Sequence, residues 1–194
     1  MRRALLFLTA LLAGCATVQP IPVPQVDWDA RLAAAQALAG WRMTGRVAVV
    51  VGEDGGSAGI DWRQAGATSD VALTGPLGVG SLRAVLAGDG LVLEDGAGER
   101  LQGPPAEALL RARLGAAVPF GHLRYWLLGS PAPGEPYTPV PATGDGLVAF
   151  EQAGWTVGIG RLEPSAGVLL PTRMTVSAEG TRLKLVVTGW TLSP

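Results

Sequence analysis

From Trp41 to Trp190 the chain is cut into short segments by tight glycine turns, and this punctuation constrains the fold more than any other feature. The segments are 41–51, 58–64, 69–74, 80–87, 91–94, 100–102, 147–152, 155–161, 172–178 and 182–190. They are rich in β-branched residues, and some alternate apolar with polar, as in Ile60-Asp61-Trp62-Arg63. Between them stand turn formers such as Gly52-Glu53-Asp54-Gly55-Gly56, Gly75-Pro76-Leu77-Gly78, Gly88-Asp89-Gly90 and Asp95-Gly96. Strands this short and this tightly joined pair antiparallel, because a parallel pair needs a crossover of about a dozen residues or more. Such a meander buries its apolar face by curling around something.

Three helical patterns accompany the strands. Asp27 can cap a helix over 28–39, whose stripe is Trp28, Leu32, Ala35 and Leu38 and whose stop is Gly40. Pro104-Pro105 can open a second over 104–114, with Ala106, Leu109, Leu110 and Leu114 on one side. A third over 120–128 aligns Phe120, Leu123 and Leu127 before Gly129. The Pro- and Gly-rich stretch 130–146 reads as a loop. The expected fold is mainly β (α+β): a single antiparallel sheet that curls around something, with about three helices closing one side.

The N-terminus carries a second message. Met1-Arg2-Arg3 is followed by an apolar run over 4–13 and then by Leu12-Ala13-Gly14-Cys15, the order of parts in an export signal. The run is too short for a membrane span, which takes roughly 20 residues. Leu-Ala-Gly-Cys resembles the lipobox of bacterial lipoproteins, where the cysteine thiol becomes a lipid thioether and the leader is removed. Cys15 is the sole cysteine, so no disulfide within the chain competes for it. Pro20, Pro22 and Pro24 make 16–26 an extended tether. The expected organisation is therefore a signal peptide at 1–14, a lipidated tether at 15–27 and one domain at 28–194. Ala16 follows the cysteine where aspartate would stand in a retained lipoprotein; by resemblance to the enterobacterial sorting rule, the expected location is the periplasmic face of the outer membrane, held by lipid on Cys15.

Charge excludes several partners. The chain has 15 basic and 16 acidic groups, and loss of Arg2 and Arg3 with the leader makes the balance more acidic still. No basic face for nucleic acid and no polybasic stripe emerges. Charged residues are only 16% of the chain against a usual figure of about 25%, which suits a large core or a necessary apolar surface. Catalytic patterns are missing too. His122 is the single histidine, no Gly-x-Ser-x-Gly elbow occurs, and no His/Cys/carboxylate cluster has metal-ligand spacing. Gly78-Val79-Gly80 lacks the third glycine of a dinucleotide fingerprint. The expectation is no enzyme, no metal and no cofactor.

The turn Gly75-Pro76-Leu77-Gly78 holds a leucine where hairpin tips are polar. Either the loop folds back and Leu77 packs, or the tip projects into a membrane or partner. Burying one leucine contributes about 1.5–3 kcal/mol, enough to perturb a bilayer locally but not to hold a protein on it.

The order of motifs resembles the LolB family of outer-membrane lipoprotein receptors. It runs from Trp41-Arg42-Met43-Thr44-Gly45-Arg46 through Trp62-Arg63-Gln64 and Gly75-Pro76-Leu77-Gly78 to the outline P-x-x-x-L-x-x-W-L-L-G over 119–129. Gln152-Ala153-Gly154-Trp155-Thr156-Val157, Leu170-Pro171-Thr172-Arg173 and a closing strand at Trp190 complete it, so the resemblance covers about 28–190. One departure is Gly158-Ile159-Gly160, where the family pattern has an aromatic residue. The resemblance implies an unclosed β-barrel whose apolar hollow, under lid helices, takes acyl chains. It also implies a LolA-like periplasmic carrier, acylated lipoprotein cargo and outer-membrane lipids as partners, with monomeric action. The projecting leucine of the family, which serves membrane delivery, maps onto Leu77.

Alternation in the first strand puts Trp41, Met43, Val47, Val49 and Val51 on one face. With Leu110, Leu114, Leu123, Trp126 and Leu127 from the helices, and Trp155, these are the candidates for the hollow's lining. The same residues also fit an ordinary filled core, in which case the protein would be a lipid-anchored structural or assembly module without a ligand cavity.

Overall fold

In a computed structural model of the chain, residues 26–76, 80–88, 90–114, 118–144 and 146–193 are described. Cys15, the tether up to residue 25, Leu77 and Gly78 lie outside the described residues. The first half runs α1 (Trp28–Gln36), β1 (Gly40–Val51), β2 (Asp54–Ala65), β3 (Thr68–Thr74), β4 (Ser81–Ala87), β5 (Gly90–Asp95) and β6 (Arg100–Gln102). Next come α2 (Pro104–Leu114) and α3 (Phe120–Trp126). The second half is β7 (Tyr137–Val140), β8 (Val148–Gln152), β9 (Trp155–Ser165), β10 (Val168–Ala178) and β11 (Thr181–Ser193). All eleven strands form one sheet in the order β6-β5-β4-β3-β2-β1-β11-β10-β9-β8-β7. Every pairing is antiparallel, and the sheet stays open between its edges β6 and β7. The chain between those edges contains α2 and α3, so the helices cross from one edge of the sheet to the other.

The inner face follows from alternation. Met43, Trp62, Val71, Ala84, Leu93 and Leu101 lie opposite one another, strand by strand, from β1 to β6. All but the half-buried Leu101, which packs against it, join Phe150, Val157, Met174, Val176 and Leu185 from the second half in one buried cluster with Leu123 and Trp126 of α3. Among the described residues, its members and packing partners run from Val26 to Leu192. Outward positions carry charge instead. On β1 to β6, Arg42 donates from Nε to Asp61 at 2.9 Å, and Arg83 donates from Nε to Asp70 at 2.8 Å. Arg63 stands 3.8 Å from Asp61, and Arg100 3.6 Å from Glu94.

One bulge sets the phase of β11. Thr44 faces Gly189 while Gly45 faces Val187, so Thr188 is an extra residue on β11. Val187, Leu185 and Leu183 point inward before it, and Trp190 does so after it, with its ring centroid 5.5 Å from that of Trp41. A Cβ on Gly45 would press into the Val186 carbonyl oxygen, so the close approach at the bulge requires glycine.

Several boundaries differ from the sequence reading. β2 begins at Asp54 rather than Ala58, so Gly55 and Gly56 are paired with β1 and not in the turn, and α3 stops at Trp126. The stretch 130–146 contains a strand, β7, in place of an uninterrupted loop. Pro139 disguised it, and β7 tolerates proline because it is an edge strand. The β9–β10 hairpin extends through Ser165 and Val168 rather than stopping near 161 and 172, since Ala166 and Gly167 both take positive φ (47° and 82°) in a tight turn. Helix α1 ends at Gln36, where Ala37 serves as C-cap. Gly40 belongs to β1, squeezed between β2 and β11, where a Cβ would lie 2.9 Å from the Gln64 carbonyl oxygen.

Candidate functional site

The helices are held to the sheet unequally. Helix α3 buries Leu123 and Trp126, and the Trp126 indole Nε1 donates to Gln152 Oε1 at 2.8 Å. The same Gln152 accepts from the Ala132 amide at 2.8 Å and donates to the carbonyls of Ala132 (2.9 Å) and Glu135 (3.1 Å). One buried amide thus fixes α3 and the chain leaving it onto β8. The His122 ring packs tilted at 53° against Trp126 with centroids 5.5 Å apart, and its Nε2 lies 3.0 Å from Glu135 Oε2 on the same exit segment.

Helix α1 is tied through its first turn. Asp27 accepts from the Ala30 amide as the N-cap, and Trp28 packs edge-on against Phe150 (5.1 Å) and Tyr137 (6.3 Å). Burial, with the charges of Asp29 and Asp27 adding, pushes the Tyr137 phenol pKa up. Arg31 donates to the carbonyls of Gly129 (2.6 Å), Leu128 (3.1 Å) and Leu169 (3.3 Å), satisfying the end of α3 from outside. Burial pulls this guanidinium below its ordinary pKa.

Helix α2 is different. It meets the sheet chiefly at β5 and β6, the narrow edge. Beneath it lies a hollow of about 670 Å³, walled by Ala58 of β2, Leu73 of β3, Leu82 of β4, Leu93 of β5, and Leu109 and Leu110 of α2. A smaller opening of about 260 Å³ flanks Leu110 on its other side, between the β4–β5 hairpin and Phe120. The first volume falls within the range of roughly 300–1,000 Å³ typical of small-molecule sites.

The reason for the open space is in the strands. The inward row Leu73–Leu82 meets Ile60 on β2 and Gly45 on β1, and the next inward positions on β2 are Ala58 and Gly56. Small residues there leave volume that Met43 and Trp62 fill one row away. The rim is formed by Gly75, Gly80, Ser81 and Asp95. Asp95 Oδ1 is engaged in its own turn, accepting from the amides of Ala97 and Glu99 at 2.9 Å. Gly75 donates to the Gly80 carbonyl at 2.8 Å, which closes the base of the loop carrying Leu77 directly beside the hollow. Pro76 is exposed.

Of the residues singled out in the sequence, Leu110 lines this hollow. Trp41, Met43, Val47, Leu123, Trp126, Leu127 and Trp155 sit in the filled core, with Met43 and Trp126 wholly inaccessible. Val49 is half-buried against the same cluster, and the side chain of Leu114 lies outside the described part of the structure. Leu109, named in the sequence on the apolar side of the same helix, lines it too, whereas Ala58, Leu73, Leu82 and Leu93 are walls that sequence reasoning did not single out. Their inward parity was available, but not which inward rows the helices leave uncovered. Among the described residues no three His, Cys, Asp or Glu groups are placed to hold a metal, and no helix is long and apolar enough to cross a membrane.

The sequence profile of the family Outer membrane lipoprotein LolB matches residues 39–190. The chain belongs to the LolB family. Curated relatives agree over nearly their whole length. An Outer-membrane lipoprotein LolB of Alkalilimnicola ehrlichii is 34% identical, with all of both chains covered. Another, from Pseudomonas putida, is 35% identical over 94% of this chain and 92% of its own. Two solved structures share the LolB-type fold at low identity. A LolA superfamily protein from Nitrosomonas europaea has a TM-score of 0.51 at 11% identity, covering 88% of this chain and 95% of its own. A DUF1329 family protein from Desulfovibrio piger has 0.53 at 8%, covering 86% and 91%. The half-barrel with three helices expected from the sequence is the architecture found.

Proposed function

We propose that this protein is an outer-membrane lipoprotein receptor that takes acylated lipoproteins from a LolA-like periplasmic carrier and releases them into the inner leaflet of the outer membrane. The observation that carries the reading is the apolar hollow under α2, opening beside the loop at 75–80. Acyl chains leaving a carrier must stay out of water at every step, and a leucine-walled space offers that without a cofactor or an energy source. Helix α2 is the lid, because it meets the sheet chiefly at the β5–β6 edge and roofs the hollow with Leu109 and Leu110, while α3 is pinned by Gln152. The lipid on Cys15 holds the protein at the membrane on this reading, since several acyl chains make a firm anchor. Leu77 serves as the contact that lets cargo pass from hollow to bilayer.

The test mixes residues 16–194, lacking the anchor, with a carrier–lipoprotein complex and then captures each protein separately. Lipoprotein should move to this chain. Leu77→Glu should still accept it but fail to deliver it to liposomes. Cargo that stays on the carrier would leave a lipid-anchored scaffold as the better account.

A further inference from the structure

The outward face of the second half of the sheet holds a feature that acyl transfer does not use. A cleft of about 480 Å³ lies over β9, β10 and β11, bordered on its far side by Pro141, Thr143 and Gly146 of the β7–β8 connection. Arg173, Arg182 and Lys184 project into it. The register sets Lys184 opposite Thr175 and Arg182 opposite Ser177, with Arg173 one outward position further along β10. Outward neighbours on one strand stand about 7 Å apart, so the three cations and the hydroxyls of Thr175 and Ser177 surround one small volume. Among the described residues no carboxylate lies within ion-pair reach of Arg182 or Lys184. Glu151, opposite Thr156 on β8, is the acidic group at the cleft's β8 border. This contrasts with the first half of the sheet, where arginines face aspartates and glutamates in a ladder of pairs.

The floor is made by Gly158 and Gly160. Glycine inside a strand weakens it, and it usually marks a place where another backbone approaches closely. That is not the reason here. A Cβ on Gly158 would come no closer than 3.8 Å to any atom, and one on Gly160 no closer than 3.5 Å, both ordinary contacts. Side chains at these positions would fill the cleft instead. Gly158 and Gly160 thus keep an open, cation-lined space on the outside of the sheet.

We propose that this cleft binds a phosphate group carried on a monoester or diester. Several donors approaching from two strands and around the floor match the tetrahedral set of four oxygens on a phosphate better than a planar two-oxygen carboxylate. Arginine suits such an anion because its planar fork can donate two parallel bonds. The volume beyond the phosphate, against Ala149 and Val186, leaves room for a small glycerol-like substituent. This proposal stands apart from the acyl hollow, which is on the opposite face.

The experiment titrates glycerol 3-phosphate into residues 16–194 and follows heat and phosphorus resonance, with sodium acetate as the control anion. Saturable binding of the phosphate ester, and none of acetate, is expected. Arg182→Gln combined with Lys184→Gln should weaken it about twenty-fivefold, taking about fivefold for each cation removed from a phosphate-bearing surface. Gly158→Val should abolish it while leaving the urea midpoint and the uptake of a fluorescent fatty acid unchanged, because the valine adds bulk only to the cleft. A flotation arm with phosphatidylglycerol vesicles separates the sources. Competition by glycerol 3-phosphate identifies a lipid headgroup, and flotation indifferent to it identifies a soluble phosphoester. No saturable binding, or binding that survives both sets of substitutions, would overturn the proposal.

Discussion

Replacing Gln152 by leucine tests whether one buried amide organises the helical side of the domain. The leucine keeps most of the volume but removes all four hydrogen bonds. The Trp126 indole, the Ala132 amide and the Ala132 carbonyl then lose their partners in the interior, while the Glu135 carbonyl, only part-buried, regains water. A buried polar group left unpaired costs about 1–3 kcal/mol. Three of them, taken toward the low end because the segment 130–136 can shift, give a loss of about 4 kcal/mol. For a domain of this size that corresponds to a fall in Tm of about 8–16 °C. Urea unfolding of residues 16–194, read by tryptophan fluorescence and circular dichroism, measures it. Trp126→Phe removes one of the stranded donors, so in the double variant the two losses should fall short of additive by about 1 kcal/mol or more. A Gln152→Leu loss below about 1 kcal/mol, or strict additivity with Trp126→Phe, would refute the claim that this network pins α3.

Other outcomes follow from the same geometry. Ala58→Trp, which directs bulk into the hollow, should abolish uptake of a fluorescent fatty acid with little change in urea midpoint, whereas Val50→Trp on the opposite face of β1 should leave uptake intact. Gly45→Ala should destabilise the domain by about 1–3 kcal/mol, read as a lower urea midpoint, because the added methyl presses into the Val186 carbonyl. Hydrogen bonds from Arg42 and Arg83 hold the Asp61 and Asp70 carboxyls below the usual range, so the folded state favours their ionised forms. That contribution is fully present above the unfolded-state pKa of about 3.9 and is lost as pH falls through the lower folded values. Arg42→Gln with Arg83→Gln should therefore lower stability at neutral pH and flatten its decline below about pH 4, as acid titration of the urea midpoint would show.

Much of the architecture was legible because it rests on local rules. The Asp27 cap, the inward parity of Trp41, Met43 and Val47, and the glycine turns of the meander each follow from neighbouring residues alone. What was hidden depends on partners distant in sequence. Tyr137–Val140 is a strand only because β8 pairs with it on one side and nothing pairs on the other, which is how Pro139 is accommodated. The phase change at Thr188 arises from its fit against Thr44 and Gly45, 144 positions away from Thr44. The hollow is the clearest case. Leu73 and Leu82 carry the same inward signal as Val71 and Ala84, and only the path of α2 decides that one row is roofed loosely and the other packed. A search of the inward rows for small residues facing large ones, here Gly56 and Ala58 on β2, is the sequence signal that points toward it.

The central claim is that acyl chains lodge under α2, and photo-crosslinking tests it most directly. A photoreactive phenylalanine analogue placed singly at Leu82 or Leu109, in the wall of the hollow, or at Thr175 on the outward face is irradiated during transfer of a lipoprotein with radiolabelled acyl chains. Label should appear on the chain from Leu82 and Leu109 and not from Thr175. Labelling equal at all three positions, or absent from both wall positions while transfer still proceeds, would contradict it.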